Sequence, residues 1–140
     1  MQLSVVLLSY NTRDLTEQAL HSVRAAMEGI EGEVFLVDNA SHDGSADMVE
    51  RTFPDVHLLK NTSNTGFAAG NNVALRQVQG RYVLLLNTDT IVRVDTFRRL
   101  VEFMDEHPEA GAAGCKILNP DGTLQLDSRR GFPTPLAAFC

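Results

Sequence analysis

The chain has 140 residues, of which 44% are hydrophobic and 21% are charged, and this composition excludes a disordered chain. Its length suits one domain with a substantial buried core. The net charge of −6 disfavours a general binder of nucleic-acid polymers, because such a protein needs a basic surface.

Short apolar runs alternate with segments of helical periodicity along the chain. Thr12 marks the start of the first helix as its capping residue. Late in the chain, Asn-Pro-Asp-Gly at 119–122 predicts a turn after a fifth apolar stretch at 112–118. In chain order we predict a strand at 3–8, a helix at 12–27, a strand at 33–38, a helix at 45–53, a strand at 56–59, a helix at 68–78, a strand at 81–86 and a helix at 95–107.

This alternation predicts an α/β fold in which helices cover both faces of a mostly parallel sheet, as a single domain over residues 1–140. Ligands of such sheets bind beyond the carboxyl ends of the strands. Polar residues follow each of the four predicted strands, so we expect the functional site at this edge. These residues are Ser9, Tyr10 and Asn11, then Asp38 to Ser41, then Lys60 and Asn61, and finally Asn87, Thr88 and Asp89.

Two of these residues are acids for which two roles are open. Asp38 either accepts hydrogen bonds from a nucleobase or ribose, as acids after a parallel strand do in dinucleotide folds, or caps the helix that follows it. Asp89 is suited to hold Mg²⁺ or Mn²⁺, whose other ligands are often waters and substrate phosphate oxygens. Its alternative role is that of an ordinary loop or helix-capping acid.

The segment at 61–72 is a third candidate, because its small residues let the backbone approach a ligand and it opens a helix whose N-terminus favours anions. It does not contain GxGxxG, and GxxxxGK[ST] occurs nowhere in the chain. Asn71 and Asn72 lie where a helix interior begins. Since asparagine is a poor helix former, these two residues predict either a side-chain role or a local cap.

Five sequence blocks occur in order across nearly the whole chain: residues 5–11 (VVLLSYN), 37–45 (VDNASHDGS), 64–72 (NTGFAAGNN), 80–90 (GRYVLLLNTDT) and 118–122 (LNPDG). Together they resemble the family 2 glycosyltransferases, which have the GT-A fold. The resemblance is to the branch with rhamnosyltransferase-like enzymes of bacterial cell-surface polysaccharide synthesis. It implies the N-terminal, donor-binding portion of such an enzyme, without the acceptor-binding part.

The resemblance also implies a function and a set of site residues. The function is inverting, metal-assisted transfer of a sugar from a nucleotide-diphosphate sugar to a polysaccharide or lipid-linked acceptor, with Asp89 holding Mn²⁺ or Mg²⁺. The chain has Asn87 where the familiar Asp-x-Asp motif begins, so one charged ligand remains. The general base is expected beyond residue 140. The implied nucleotide-sugar-binding residues are Ser9, Tyr10, Asn11, Asp38, Asn39, Asn64, Gly66, Phe67, Asn71, Asn87, Thr88 and Asp89.

Arg129 and Arg130 are further candidates, because arginine can make bidentate contacts to the leaving diphosphate; the alternative is that both are exposed surface arginines. Three other functions stay open: a nucleotide-binding fragment without transferase activity, a phosphorelay receiver domain and a dinucleotide-binding domain. A receiver needs an acidic cluster directly after the first strand, where this chain has Ser9-Tyr10-Asn11. A dinucleotide-binding domain needs GxGxxG.

The sequence also predicts a location. Its longest apolar runs are about five residues, too short to cross a bilayer, and the start of the chain lacks the pattern of a signal peptide. Cys115 and Cys140 form no disulfide framework or metal-ligand cluster. We therefore expect a cytoplasmic protein, with or without peripheral association at the inner face of the membrane.

Overall fold

The computed structural model describes residues 1–126 and divides the chain into two units, Met1–His107 and Pro108–Cys140. In the first unit strands and helices alternate, as predicted. Its elements are β1 (Leu3–Ser9), α1 (Arg13–Ala26), β2 (Gly32–Asp38), α2 (Ser45–Thr52), β3 (His57–Lys60), α3 (Gly66–Leu75), β4 (Tyr82–Asn87) and α4 (Thr96–Glu106).

The strands of the first unit form one parallel sheet in the order β3-β2-β1-β4. Their carboxyl ends are in register. Ser9 of β1 pairs with Asp38 of β2, Asp38 pairs with Lys60 of β3, and Leu8 of β1 pairs with Asn87 of β4. The predicted α/β fold with a parallel sheet is confirmed, and the polar strand ends meet at one edge.

Helices cover both faces of this sheet, because successive strand residues point to opposite sides. On one side, α1, α2 and α4 contribute to a buried cluster that includes the rings of Phe53 and Phe97. On the other side, α3 packs through Ala74 against Val6 and Val37. Full burial of a large apolar side chain stabilises a fold by about 1.5–3 kcal/mol, so the apolar runs of the sequence supply the core.

β4 is covered on one side only within the described residues. Leu84 and Leu86 pack against the cluster of α1, α2 and α4, whereas Val83 and Leu85 on the opposite side are 42% and 45% exposed. The reason is the position of α3, which packs over β1 and β2. The prediction of cover on both faces therefore holds for the two central strands and not for β4.

The amino end of the sheet is closed by one partly buried acid and one glycine. Glu33 Oε1 accepts hydrogen bonds from Ser4 Oγ and from the Gln79 N–H, both at 2.6 Å, and the Gly80 N–H donates to Ser4 Oγ at 2.8 Å. A Cβ on residue 80 would lie 2.5 Å from Ser4 N, so the close approach of β1 requires glycine there. These contacts hold the amino end of the sheet together, so the role of this end is structural.

The second unit contains the predicted turn. The Gly122 N–H donates to the Asn119 carbonyl at 2.9 Å, and an antiparallel bridge joins Leu118 to Leu124. The apolar stretch before the bridge, residues 112–117, has no helix or strand. Within residues 1–126 there is no helix that combines the length and the apolar character needed to cross a membrane.

Candidate functional site

Four hydroxyl groups link the end of β1 to the start of α1 and to the turn after β4. Ser9 Oγ lies 3.1 Å from Thr12 Oγ1 and 3.0 Å from Thr16 Oγ1. Thr12 Oγ1 lies 3.2 Å from Thr16 Oγ1 and 3.3 Å from Thr88 Oγ1. This hydroxyl cluster holds Thr88, and with it the backbone next to Asp89, against the start of α1. It also occupies the Thr12 hydroxyl, which makes no capping hydrogen bond to α1.

The loops after β1 and β2 are joined by hydrogen bonds. Asn11 Oδ1 accepts from the His42 N–H at 2.8 Å, the Asn11 N–H donates to Ser41 Oγ at 3.0 Å, and the Arg13 N–H donates to Asp43 Oδ2 at 2.8 Å. Asn11 has a φ of 53°, a left-handed conformation that asparagine tolerates better than most residues. Asn11 therefore fixes the two loops relative to each other.

Asp43 caps two helices. Its Oδ2 accepts from the Arg13 N–H at the start of α1, and its Oδ1 accepts from the N–H and the hydroxyl of Ser45 at the start of α2, at 3.0 and 2.5 Å. Partial burial raises the pKa of Asp43, but the hydrogen bonds from Ser45 and Arg13 outweigh that effect and hold the pKa below its usual 3.8. The cap of α1 that the sequence assigns to Thr12 is thus supplied by Asp43.

Replacing Asp43 should test this double cap. Asp43→Asn is expected to lower the free energy of unfolding by about 1–2 kcal/mol near neutral pH, because an amide nitrogen replaces one acceptor oxygen. The wild-type contribution is present above the unfolded-state pKa of the carboxyl group and is lost as the pH falls through the lower folded-state pKa. The difference between the two proteins should therefore shrink below about pH 4, as urea unfolding across this range would measure.

Asp47→Asn is the matched control, because Asp47 lies in the first turn of α2 and its side chain makes no hydrogen bond within residues 1–126. The Asp47 carboxylate interacts with the same helix dipole, but it does not cap a second helix. Equal destabilisation by the two variants would contradict the double cap.

Asp38, the last residue of β2, is buried with one oxygen paired and one unpaired. Oδ2 accepts from the Ser41 N–H at 3.0 Å, whereas the buried Oδ1 has no hydrogen-bond partner among residues 1–126. An unpaired buried polar atom costs roughly 1–3 kcal/mol, so it calls for an explanation in a native fold. Asp38 closes the local turn without capping α2, and its second oxygen has no donor among residues 1–126.

The predicted asparagines around α3 use their amides inside the chain. Asn39 Nδ2 donates to Asn64 Oδ1 at 2.8 Å, and Asn64 Oδ1 also accepts from the Gly66 N–H at 2.9 Å, where α3 begins. This contact explains why α3 begins earlier than predicted. Gly66 has a φ of 78°, which favours glycine. Asn71 Nδ2 donates to the Phe67 carbonyl at 2.8 Å, so Asn71 makes a local contact within its own helix.

Four predicted site residues present their side chains to solvent at the carboxyl edge. The rings of Tyr10, after β1, and Phe67, in the first turn of α3, are 47% and 60% exposed. Asn87 and Asp89 are exposed, and neither side chain makes a hydrogen bond or ion pair within residues 1–126. The edge thus combines exposed aromatic surface with oxygen groups that nothing in the described chain uses.

A metal centre built from protein side chains alone is absent from residues 1–126, where no group of three or more His, Cys, Asp or Glu could hold an ion. Mg²⁺ is often held by only one or two carboxylates, with waters and substrate phosphates as its other ligands. Asp89, an exposed carboxylate directly after β4, fits this second kind of site. Asn87 adds a neutral amide oxygen nearby in the chain.

Two basic side chains next to this edge are paired with acids. Lys60 Nζ lies 2.7 Å from Glu50 Oε1, and this hydrogen bond raises the pKa of Lys60. Arg13 Nη1 lies 3.0 Å from Asp14 Oδ1. Both cations are thus engaged by acids in this structure. Arg129 and Arg130, the predicted diphosphate contacts, lie outside the described residues.

The edge of the candidate site was predicted from the sequence, but two residues that build it were not. They are Thr16 of the hydroxyl cluster and Asp43 in the loop after β2. The Asp43-Gly44-Ser45 tripeptide carried a usable signal, because Asp and Ser at this spacing form local turns with backbone N–H groups.

The family of the chain follows from a direct match. The model of glycosyl transferase family 2 matches residues 4–136, so the chain belongs to this family. Its fold is of the GT-A type, as the resemblance implied. Membership of the family removes the receiver and dinucleotide-binding alternatives.

Similar proteins are glycosyltransferases. A Bacillus subtilis (strain 168) protein whose name assigns it to teichuronic acid biosynthesis, TuaG, is 35% identical over 86% of this chain and 49% of its own length. An N-acetylglucosaminyl-diphospho-decaprenol L-rhamnosyltransferase of Mycobacterium tuberculosis is 27% identical over 91% of this chain and 45% of its own. The mannosyltransferase PcManGT of Pyrobaculum calidifontis, solved with GDP-Man and Mn²⁺, has a TM-score of 0.71 at 27% identity and covers 86% of this chain. This chain spans 36% of PcManGT. It therefore spans less than half of the length of each of these three relatives.

Proposed function

We propose that this chain is the donor-binding portion of an enzyme that transfers a sugar from a nucleotide-diphosphate sugar. The observation that carries the proposal is the presence, at one edge of the sheet, of two acids with carboxylate oxygens that no residue among 1–126 pairs with. Asp38 has a buried oxygen without a partner within residues 1–126, and Asp89 has an exposed carboxylate. Membership of glycosyl transferase family 2 supports the transfer chemistry, and the PcManGT complex supports a nucleotide-sugar donor.

In this proposal the nucleoside binds around the end of β2. Asp38 Oδ1 accepts a hydrogen bond from the base or the ribose, which would remove the cost of its unpaired state. Tyr10 and Phe67 are exposed rings in the loop after β1 and at the start of α3, and such rings stack on a nucleobase. Ser9 and Asn39, which are buried, support the site from beneath.

The diphosphate binds near the end of β4. Asp89 would hold Mn²⁺ or Mg²⁺ together with the phosphate oxygens, and Asn87 adds an amide group next to them. The ion supplies Lewis-acid stabilisation of the negative charge that develops on the leaving diphosphate. The hydroxyl cluster contributes by fixing the backbone at Thr88, so Asp89 starts from an ordered turn.

The finer features of the reaction belong to the proposal as well. They are inversion at the sugar carbon, a polysaccharide or lipid-linked acceptor, diphosphate contacts from Arg129 and Arg130, and a cytoplasmic location with or without peripheral membrane association. One second function is favoured by a specific observation, since the chain spans 36–49% of the relatives' lengths. It is nucleotide binding without transfer by these 140 residues alone.

Calorimetric titration of the 140-residue chain with UDP, dTDP and GDP, each with and without Mn²⁺, tests the donor site. We expect at least one nucleotide to bind more tightly with Mn²⁺ and to raise Tm. When the free nucleotide concentration is about 100 times the dissociation constant, binding raises the free energy of unfolding by about 2.7 kcal/mol. A folded chain that binds none of the three overturns the proposal. Release of nucleotide from the matching nucleotide sugar, with and without a glycan acceptor, separates transfer from binding alone.

A further inference from the structure

The side chain of Asn39 joins the end of β2 to the loop between β3 and α3. Its Oδ1 accepts three hydrogen bonds: from Asn61 Nδ2 at 3.0 Å, from the Thr65 N–H at 3.1 Å and from Thr65 Oγ1 at 3.2 Å. Its Nδ2 donates to Asn64 Oδ1 at 2.8 Å and to the Gly66 carbonyl at 3.4 Å. One amide therefore holds both ends of the segment 61–66.

These contacts leave Asn39 no capacity for a ligand. An amide oxygen has two lone pairs and an amide nitrogen has two hydrogens, and the five contacts engage all of them. The residue is also only 2% exposed. Any effect of Asn39 on nucleotide binding has to pass through the loop that it holds.

The backbone on either side of the amide fixes where the loop sits. The Asn39 N–H donates to the Ser9 carbonyl at 2.8 Å, and the Asn61 N–H donates to the Asp38 carbonyl at 2.9 Å. Ala40 follows in a left-handed conformation with a φ of 65°, which a residue with a Cβ adopts only when its surroundings impose it. The main chain around Asn39 is thus tied to β1 and β3 while its side chain is tied to the loop.

We propose that Asn39 is a positioning residue of the donor site, and this proposal rests on the proposed function. Asn39 is adjacent to Asp38 in the chain, and it fixes the loop that leads into Gly66 and Phe67 at the start of α3. It therefore sets the distance between the carboxylate and the aromatic ring that receive the nucleoside. A loop that is ordered before binding costs less free energy to order during binding, so Asn39 raises affinity without touching the ligand.

The decisive comparison is between Asn39→Ala and wild type, with two measurements made well below Tm. The first is the UDP, dTDP or GDP dissociation constant in Mn²⁺, for whichever nucleotide binds the wild type. The second is amide hydrogen exchange at Thr65 and Gly66. We expect affinity to fall by about tenfold, equivalent to ~1.4 kcal/mol, and exchange at both amides to accelerate.

Two further variants complete the test, one as a milder change in the same loop and one as a control. Thr65→Val removes the hydroxyl contacts to Asn39 Oδ1 and Asn61 Nδ2 but keeps the Thr65 N–H contact to Asn39 Oδ1. It should therefore fold where Asn39→Ala fails and should show a smaller change in the same direction. Gln77→Ala is the control, because it removes an exposed amide just past the far end of α3. Its affinity and its exchange at Thr65 should match wild type.

Each other outcome overturns the positioning role. Unchanged exchange at Thr65 and Gly66 would mean that Asn39 does not hold the loop. Faster exchange with wild-type affinity would mean that the loop is held for stability alone. If the wild type binds no nucleotide, the proposed function fails and the positioning role fails with it, whereas failure in Asn39→Ala alone leaves the donor site intact.

Discussion

Asp89→Ala is expected to abolish the gain in nucleotide affinity that Mn²⁺ provides. Asp89 is the charged residue in the exposed turn after β4, and its carboxylate has no partner within residues 1–126. Removing it takes away the anionic ligand that the proposed function assigns to the ion. Removing a residue that only hydrogen-bonds to a metal ligand lowers metal affinity roughly 10- to 100-fold. Removing a direct ligand should lower metal affinity by at least as much.

Titration of the variant with nucleotide, with and without Mn²⁺, measures this effect. The two dissociation constants should become equal, while Tm without ligand stays close to wild type because the side chain is exposed. Glu102→Ala is the matched control, since Glu102 is an exposed acid of α4. This variant is expected to keep the Mn²⁺ dependence of the wild type. A variant that still binds nucleotide more tightly in Mn²⁺ would place the metal ligand elsewhere.

Asp38→Ala is expected to weaken nucleotide binding roughly 10- to 100-fold, since a hydrogen bond to a charged group contributes about 1.5–3 kcal/mol. The weakening should be the same with and without Mn²⁺, because Asp38 acts on the nucleoside and not on the ion. Stability without ligand should change little. The variant loses the hydrogen bond from Ser41 but also loses the unpaired buried oxygen.

The pair of measurements separates a binding residue from a structural one. Calorimetry reports the affinity, and thermal unfolding without nucleotide reports the stability. Weaker binding at unchanged Tm supports the nucleoside contact. Unchanged affinity would show that the free oxygen of Asp38 serves no ligand, and a large drop in Tm would assign Asp38 to the fold.

The order of strands and helices could be predicted because the two periodicities differ. Apolar runs such as residues 3–8 suit buried parallel strands, and the apolar spacing from Leu15 to Met27 suits a helix face. The sequence could not show which helices pack over which strands. β4 contains an apolar run much like that of β1, yet Val83 and Leu85 are exposed because no described helix packs over them.

The site was predictable to the level of its edge and not to the level of its contacts. The strand ends indicated Asp38 and Asp89 as candidate site residues because parallel strands direct all of their carboxyl ends to one side. Asn39 shows the limit. It was expected to contact the nucleotide, yet its amide bonds to residues 22–27 positions away, which only the folded chain brings near. Arg129 and Arg130 stay predictions.

The position of β1 in the middle of the sheet has a consequence for when the site can exist. Ser4 and Gly80, and likewise Thr12 and Thr88, are 76 residues apart in sequence yet in hydrogen-bonding contact. Contacts between residues so far apart in sequence form late in folding, because ordering the long intervening loop costs entropy before the contact adds any stability. During synthesis the proposed nucleotide site would therefore stay incomplete until the fourth strand has left the ribosome. A nucleotide that binds this proposed site would stabilise the finished fold and none of the shorter intermediates.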